Sequence, residues 1–378
     1  MKERNQIRVA TMTFHMAHNY GAMLQAYALQ EAVCKLGYSC EVLDYRFPYI
    51  DQWSGIRTWK DLRQETGFLW GTLRWIRRLY SGYYRRQTVA QKKFNNFMRR
   101  KFRLSHRVYF DANELRNADY NAILFGSDQI WNPALTNGIA SEYFGDFVDT
   151  DKTKLIAYAA SCGKSSLPAE YEDALLPMIR RFHALGIRED GFTQWLREVH
   201  GLPAQTVLDP VFLLKKQDWD ALLKDTPRTI EEPYLLVYAF DAEDEIYNLA
   251  RRIAGEKKLR LVSVCYKPNK NLKDILQLTD CGPLEFLRLL RNASFVCTTS
   301  FHGEAFSIIF EKDFYCIGHP IYAQRNSDLL KLLGLQDRMI SKAEGVQQIL
   351  PCEYTEANYC LDKFRNEAME FIVNAIEG

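Results

Sequence analysis

The sharpest chemical pattern lies between Cys297 and Phe310: Cys-Thr-Thr-Ser-Phe-His-Gly-Glu-Ala-Phe-Ser-Ile-Ile-Phe. An apolar strand passes through small polar residues into a helix. Such a turn directs the backbone N–H groups of Phe301, His302, Gly303 and Glu304 toward one point at a helix N-terminus. Those donors, with the helix dipole behind them, suit a phosphate or a carboxylate. Gly303 permits close backbone approach, and a histidine at position 302 can donate a proton near neutral pH. The same residues also fit an ordinary cap, because Ser or Thr before a helix is a common N-cap. Spacing alone leaves both readings open.

The elements that would hold this turn alternate in type. Ile7–Thr13 reads as a strand. A helix follows, with Ala22, Ala26, Leu29, Val33 and Leu36 on one face and Gly37 at its end, and then a second strand, Cys40–Tyr45. This is the opening of a helix-covered parallel sheet. Further strands are expected at 121–125, 155–160, 184–188, 206–208, 234–238, 259–265 and 293–298. Helices are expected at 243–254, 283–291 and 355–376, the last with Thr355 as N-cap. A chain of 378 residues exceeds one ordinary core. The pattern gives an α/β protein with an N-terminal domain over 1–215 and a second domain over 230–345. A C-terminal helix falls in 350–378, and the charged stretch 215–233 reads as the linker. Ligands of two such domains bind between them, at the carboxyl ends of the strands.

Residues 53–107 differ from the rest and read as a helical insertion in the first domain. From Arg57 to Arg107 there are 15 Lys or Arg and 2 Asp or Glu, a net +13 in a chain whose total is +2. Trp59, Phe68, Trp70, Trp75, Tyr80, Tyr83 and Tyr84 interleave with the arginines. Three readings stand: a solvated helical surface, an anionic lipid surface at the inner membrane face, or a guide for an anionic glycan acceptor. No nucleic-acid reading motif accompanies the charge.

Nine cysteines, an odd number with no Cys-x-x-Cys pair, argue against a disulfide framework and a zinc site. No metal cluster is expected. Residues 1–6 carry no apolar signal core, and no run of about 18 apolar residues is present. The expected setting is cytoplasmic, peripheral at the inner membrane face if the lipid reading of the basic segment holds.

Several segments, in order, resemble the polysaccharide pyruvyl transferase family. They are Asn19-Tyr-Gly-Ala22 before an Ala-Tyr-Ala-Leu-Gln helix, Phe125-Gly-Ser-Asp-Gln-Ile-Trp-Asn132 and Tyr158-Ala-Ala-Ser-Cys-Gly163. Gly186-Ile-Arg-Glu-Asp190, Val207-Leu-Asp-Pro210, Thr299-Ser-Phe-His-Gly303 and Arg325-Asn-Ser327 follow. The Gly-Ser-Asp-Gln-Ile-Trp-Asn run is the most specific. The resemblance implies two Rossmann-like domains facing a cleft (a GT-B-like fold), with the C-terminal helix crossing back to the first. It also implies phosphoenolpyruvate as donor, no further cofactor, and a glycan or lipid-linked sugar that receives pyruvate as a ketal.

By the same resemblance, His302 is the general acid or phosphate ligand and Arg188 holds the donor. Ser300, Phe301, Gly303 and Arg325 complete the donor side. Asp128, after a strand end, fits a base or a ligand of sugar hydroxyls, and also a helix cap. Gln129, His15 and Asn19 lie where acceptor contacts would fall, although a lone loop histidine is usually just solvated; Trp131 fits a platform for a sugar ring, but an aromatic there is more often core. In other branches of the family Arg-Leu-His stands where this chain has Ser300-Phe301-His302, so either Arg325 or another cation compensates, or the donor differs. Two other functions fit the architecture. One is a glycosyltransferase using a nucleotide sugar, with Glu304 on the ribose. The other is a non-catalytic glycan-binding or assembly protein, favoured by Ser300.

Overall fold

A strand buried on both faces is apolar along its whole length, which is the signature of a parallel sheet covered by helices on each side. The segments Ala122–Phe125, Tyr234–Tyr238 and Phe295–Thr298 are buried at every residue, and only Thr298, at the end of the last, departs from the apolar run. A computed structural model of the protein, describing residues 3–47, 63, 67–79, 82–239, 244–318, 323–346 and 348–378, places them in two separate sheets.

The first sheet has seven parallel strands: β1 (Arg8–Met12), β2 (Ser39–Tyr45), β3 (Leu104–Tyr109), β4 (Ala122–Phe125), β5 (Lys154–Ala160), β6 (Ala184–Ile187) and β7 (Ala204–Thr206). Their order is β3-β2-β1-β4-β5-β6-β7. The second has six: β8 (Tyr234–Tyr238), β9 (Arg260–Val264), β10 (Leu276–Leu278), β11 (Phe295–Thr298), β12 (Phe314–Ile317) and β13 (Met339–Ile340). Their order is β10-β9-β8-β11-β12-β13, again all parallel. The first order reverses between β1 and β4, with Val9 opposite Ala122. The second reverses between β8 and β11, with Thr298 opposite Tyr238. Crevices for ligands open at such reversals, beyond the strand ends.

The helices are α1 (Tyr20–Lys35), α2 (Phe68–Leu79), α3 (Gly82–Lys101), α4 (Ala112–Leu115), α5 (Pro133–Thr136), α6 (Ala169–Ile179) and α7 (Asp190–Glu198). They continue with α8 (Lys216–Leu222), α9 (Asp244–Lys257), α10 (Pro283–Asn292), α11 (Phe301–Ile309), α12 (Ala323–Leu332) and α13 (Thr355–Glu377). None among the described residues is long and apolar enough to cross a membrane.

Three details differ from the sequence expectation. Residues 104–107, read as the end of the helical insertion, belong to β3, the edge strand beside β2. The stretch read as a linker contains α8, whose Trp219 is fully buried, so the connection is packed rather than open. Thr355 is the first residue of α13; Tyr354 holds the cap position and makes no side-chain cap bond. Trp59 and Tyr80 of the basic segment lie outside the described residues.

Contacts across the cleft come from aromatic residues. Tyr20 of α1 stacks on Phe286 of α10 with ring centroids 4.4 Å apart, and its hydroxyl donates to the Cys281 carbonyl at 3.1 Å. Phe94 of α3 lies against Tyr20, and Lys93 pairs with Glu285 at 3.1 Å. Helix α13 reaches both domains. Ala357 and Leu361 join the apolar cluster that holds Phe306 and Ile309. Ala368, Ile372 and Ile376, spaced four apart, join the cluster of Val9, Leu29 and Ile156. Its Arg365 Nε donates to the Phe212 carbonyl at 2.7 Å, and Lys154 Nζ donates to the Ile376 carbonyl at 3.1 Å.

Candidate active site

Strands β4, β5 and β6 of the first sheet each lead within two residues to a polar side chain, and these side chains converge. Arg188 follows β6 directly. Its Nη1 donates to Asp209 Oδ2 at 3.3 Å and its Nη2 to Ser161 Oγ, at the end of β5, at 3.0 Å. Glu189 Oε1 lies 3.6 Å from Arg188 Nε and accepts a hydrogen bond from Ser161. From the end of β4, Ser127 Oγ donates to Asp209 Oδ2 at 3.2 Å. The turn at Pro210 brings the Val211 N–H to Asp209 Oδ1 at 3.1 Å. All of these side chains are buried. Burial opposes the charge on Arg188, yet Glu189, Asp209 and Asp128 together keep its guanidinium above its ordinary value. A charge left alone in such a place costs several kcal/mol, so the cluster is stable only as a set.

The second domain adds His302. Its Nε2 lies 3.9 Å from the same Asp209 Oδ2. An imidazole facing a buried carboxylate can carry a proton and hand it on. The first domain also fixes where the ring sits, because α1 begins against it. A Cβ built on Gly21 would lie 2.0 Å from His302 Nδ1, so only glycine leaves room for the imidazole. Phe301 is buried beside the cluster, with the Arg188 guanidinium 5.8 Å from its ring centroid.

The turn at the start of α11 is more self-contained than its spacing implies. Ser300 is the N-cap, its Oγ accepting from Gly303 N at 3.5 Å, and its carbonyl accepts from Glu304 N at 3.0 Å. Two of the four anticipated donors are therefore used within the turn. Gly303 serves the turn itself: a Cβ there would come within 2.2 Å of Thr298 Oγ1. Glu304 is fully buried and accepts from Asn326 Nδ2 at 2.8 Å, so it presents no carboxylate to a ribose. Arg325 lies in the first turn of α12, and its side chain is outside the described residues.

The acceptor side needs correction. Trp131 is 1% exposed; its Nε1 donates to the Tyr143 carbonyl at 3.0 Å and its ring stacks on Phe144. No face remains for a sugar, because the indole is a core residue. His15 is equally buried, bonded through Nε2 to Asp44 Oδ1 at 3.2 Å and through Nδ1 to the Thr13 carbonyl at 3.3 Å. It braces the ends of β1 and β2 and is closed to a ligand. Burial works against the charge on Asp44, but the hydrogen bonds of His15 and Arg46 outweigh it and hold the carboxyl below its ordinary range. Asn19 caps α1 through Oδ1, which accepts from Ala22 N at 3.1 Å. Gln129 is buried and accepts from Asn132 Nδ2 at 2.7 Å, bracing its own loop. Asp128 remains half-buried at a left-handed backbone position, φ 77°, where its Oδ1 accepts from Gln129 N at 2.8 Å.

Arg188, Glu189, Asp209 and Phe301 also line the inner end of a groove of about 1290 Å³. It runs along β6 and β7 under α13, with Asp328 and Lys331 of α12 on the opposite wall. Among the described residues, no group of three or more His, Cys, Asp or Glu could hold a metal ion.

The family model described as polysaccharide pyruvyl transferase matches residues 19–320. The chain belongs to that family. No curated protein matches it in sequence. Among solved structures, UDP-N-acetylglucosamine 2-epimerase from Rickettsia bellii is 11% identical with a TM-score of 0.53, over 98% of this chain and 97% of that one. The UDP-GlcNAc 2-epimerase from Neisseria meningitidis, bound to UDP-GlcNAc, is 10% identical with a TM-score of 0.50, over 98% and 99%. E. coli heptosyltransferase WaaC with ADP is 13% identical with a TM-score of 0.40, over 96% and 100%. The two parallel sheets, with the likeness to the two epimerases, give this pyruvyl transferase family member two Rossmann-like domains facing a cleft, the GT-B arrangement, with a helical insertion in the first. Asp209, Glu189, Ser161, Ser127 and Gly21 join His302, Arg188 and Asp128 as site residues that sequence reasoning did not single out. All five stand inside the family-like motifs, three of them (Ser127, Ser161 and Asp209) as the polar residue after an apolar run.

Proposed function

We propose that the protein transfers pyruvate from phosphoenolpyruvate to a sugar of a polysaccharide or of a lipid-linked glycan precursor, forming a pyruvate ketal. The observation that carries this reading is Asp209, shared by Arg188 and His302 where the two sheets' strand ends meet. A cation, a proton carrier and the carboxylate that orients both are what an enol phosphate requires.

A sugar hydroxyl oxygen attacks the carbon that bears the phosphate, while the methylene carbon takes a proton from His302 and becomes methyl. Asp128, half-buried and beside the cluster, takes the hydroxyl proton. A second hydroxyl of the same sugar then displaces phosphate from that carbon and closes the ketal, its proton leaving with the phosphate. The donor's anionic groups fall to Arg188, the start of α11 and Arg325, the last standing in for the arginine absent at Ser300. The groove under α13 admits the acceptor, whose hydroxyls meet its charged walls.

The test is release of inorganic phosphate from phosphoenolpyruvate with a panel of glycan acceptors, with the ketal methyl followed by NMR. His302→Ala is expected to abolish release while the melting temperature is kept. The reading fails if phosphoenolpyruvate neither shifts the melting temperature nor releases phosphate, while a nucleotide sugar stabilises the protein.

A further inference from the structure

We propose that α2 lies on an anionic lipid surface and holds the first domain against it. The inference rests on α2 and its surroundings, and stands or falls apart from the donor and acceptor chemistry. Helix α2 carries three strips, each read at i, i+4 and i+7 or its beginning. Gly71 and Trp75 face the protein: Gly71 is buried and Trp75 half-buried. The next strip is Trp70, Arg74 and Arg77, all exposed. The third is Leu69, Leu73 and Ile76, whose side chains are 75%, 57% and 42% exposed. Phe68 extends that apolar strip at the helix start.

Five of the most exposed large apolar side chains of the described residues thus fall within nine positions on one helix. Scattered apolar residues on a surface need no explanation, but a continuous strip does. The charge decides what covers it. From Phe68 to Lys101, ten residues are Lys or Arg and none is Asp or Glu. Like charge at this density disfavours a second copy of the same face. An apolar strip edged by tryptophan and arginine matches a bilayer boundary, where acyl chains take the leucines and anionic headgroups take the guanidinium groups. Arg74 and Arg77 of the middle strip border the apolar strip, at the level of the headgroups when that strip is immersed.

Vesicle co-sedimentation tests this with the full chain. Vesicles of phosphatidylglycerol with phosphatidylcholine are expected to retain the protein at least ~tenfold better than phosphatidylcholine alone, with loss of binding at high salt. The exposed-residue variant Leu69→Ser/Leu73→Ser/Ile76→Ser, checked for an unchanged melting temperature, is expected to lose about tenfold. Arg74→Ser/Arg77→Ser is expected to lose the preference for anionic vesicles. The proposal is overturned if wild-type protein stays in solution with anionic vesicles, or if the apolar variant binds as the wild type does. It is equally overturned if the apolar variant only converts a dimer to a monomer in sedimentation velocity.

Discussion

The imidazole of His302 rests directly on Gly21, across the cleft between the two domains, with no room for a single added carbon between them. The residue best suited to move a proton belongs to one sheet, and its position is set by a helix of the other. Gly21→Ala therefore has two opposed effects. Alanine favours the helix by about 0.5–1 kcal/mol over glycine, but its Cβ displaces the ring. We expect the second to dominate: phosphate release falls about 100-fold, the scale of a 1 Å misplacement. A Gly21→Ala protein that is both more stable and fully active would refute the steric role.

Asp209→Asn keeps the shape of the side chain and its bond from Val211, but removes the charge that Arg188 and His302 share. Breaking a buried pair from one side costs about 3–5 kcal/mol, and losing general-acid function costs about 10²–10⁴-fold in rate. Thermal melting and kcat should both fall. Replacing Asp209 and Arg188 together, by Asn and Gln, is expected to recover part of the stability and none of the rate.

Asp44 gives a pH dependence with a definite sign. Its folded carboxyl titrates below the ordinary value of 3.8 because His15 and Arg46 bond to the charged form. The stability it contributes is fully present above the unfolded value and is lost as pH falls toward the folded one. Melting temperature should drop more steeply below about pH 4 in the wild type than in Asp44→Asn. Parallel acid profiles for the two proteins would show that the bonds contribute nothing.

Trp131→Phe discriminates a core residue from a sugar platform. Removing most of a buried aromatic side chain costs about 3–5 kcal/mol, and the smaller change to phenylalanine costs less. We expect a lower melting temperature and an unchanged KM for the acceptor. A raised KM at unchanged stability would return the indole to the binding surface.

What could be read from the sequence divides along physical lines. Strands buried on both faces, such as Ala122–Phe125 and Tyr234–Tyr238, announce themselves as uninterrupted apolar runs. The edge strand β3 does not. Its central residues His106 and Arg107 point to solvent, so it is hidden at the end of a basic segment. Helix α8 is short and charged on one side, and its burial depends on two residues, Trp219 and Leu222, reaching the core. The site shows the same division. His302 and Arg188 are chemical residue types at strand-to-helix turns and can be found locally. Asp209, before a proline, reads as a turn; its role comes from meeting Arg188 and Ser127, 21 and 82 positions away. Trp131 and His15 carry suitable chemistry for a sugar, and only the packing around them shows that it is turned inward.

Helix α13, with 23 residues, is a rod about 35 Å long. Its first turns are anchored in the core of one domain and its last turns in the core of the other. A stiff rod held at both ends resists any movement that would pull those anchors apart. Separating the two domains along α13 would have to draw Ala357 and Leu361, or Ala368, Ile372 and Ile376, out of the core that holds them.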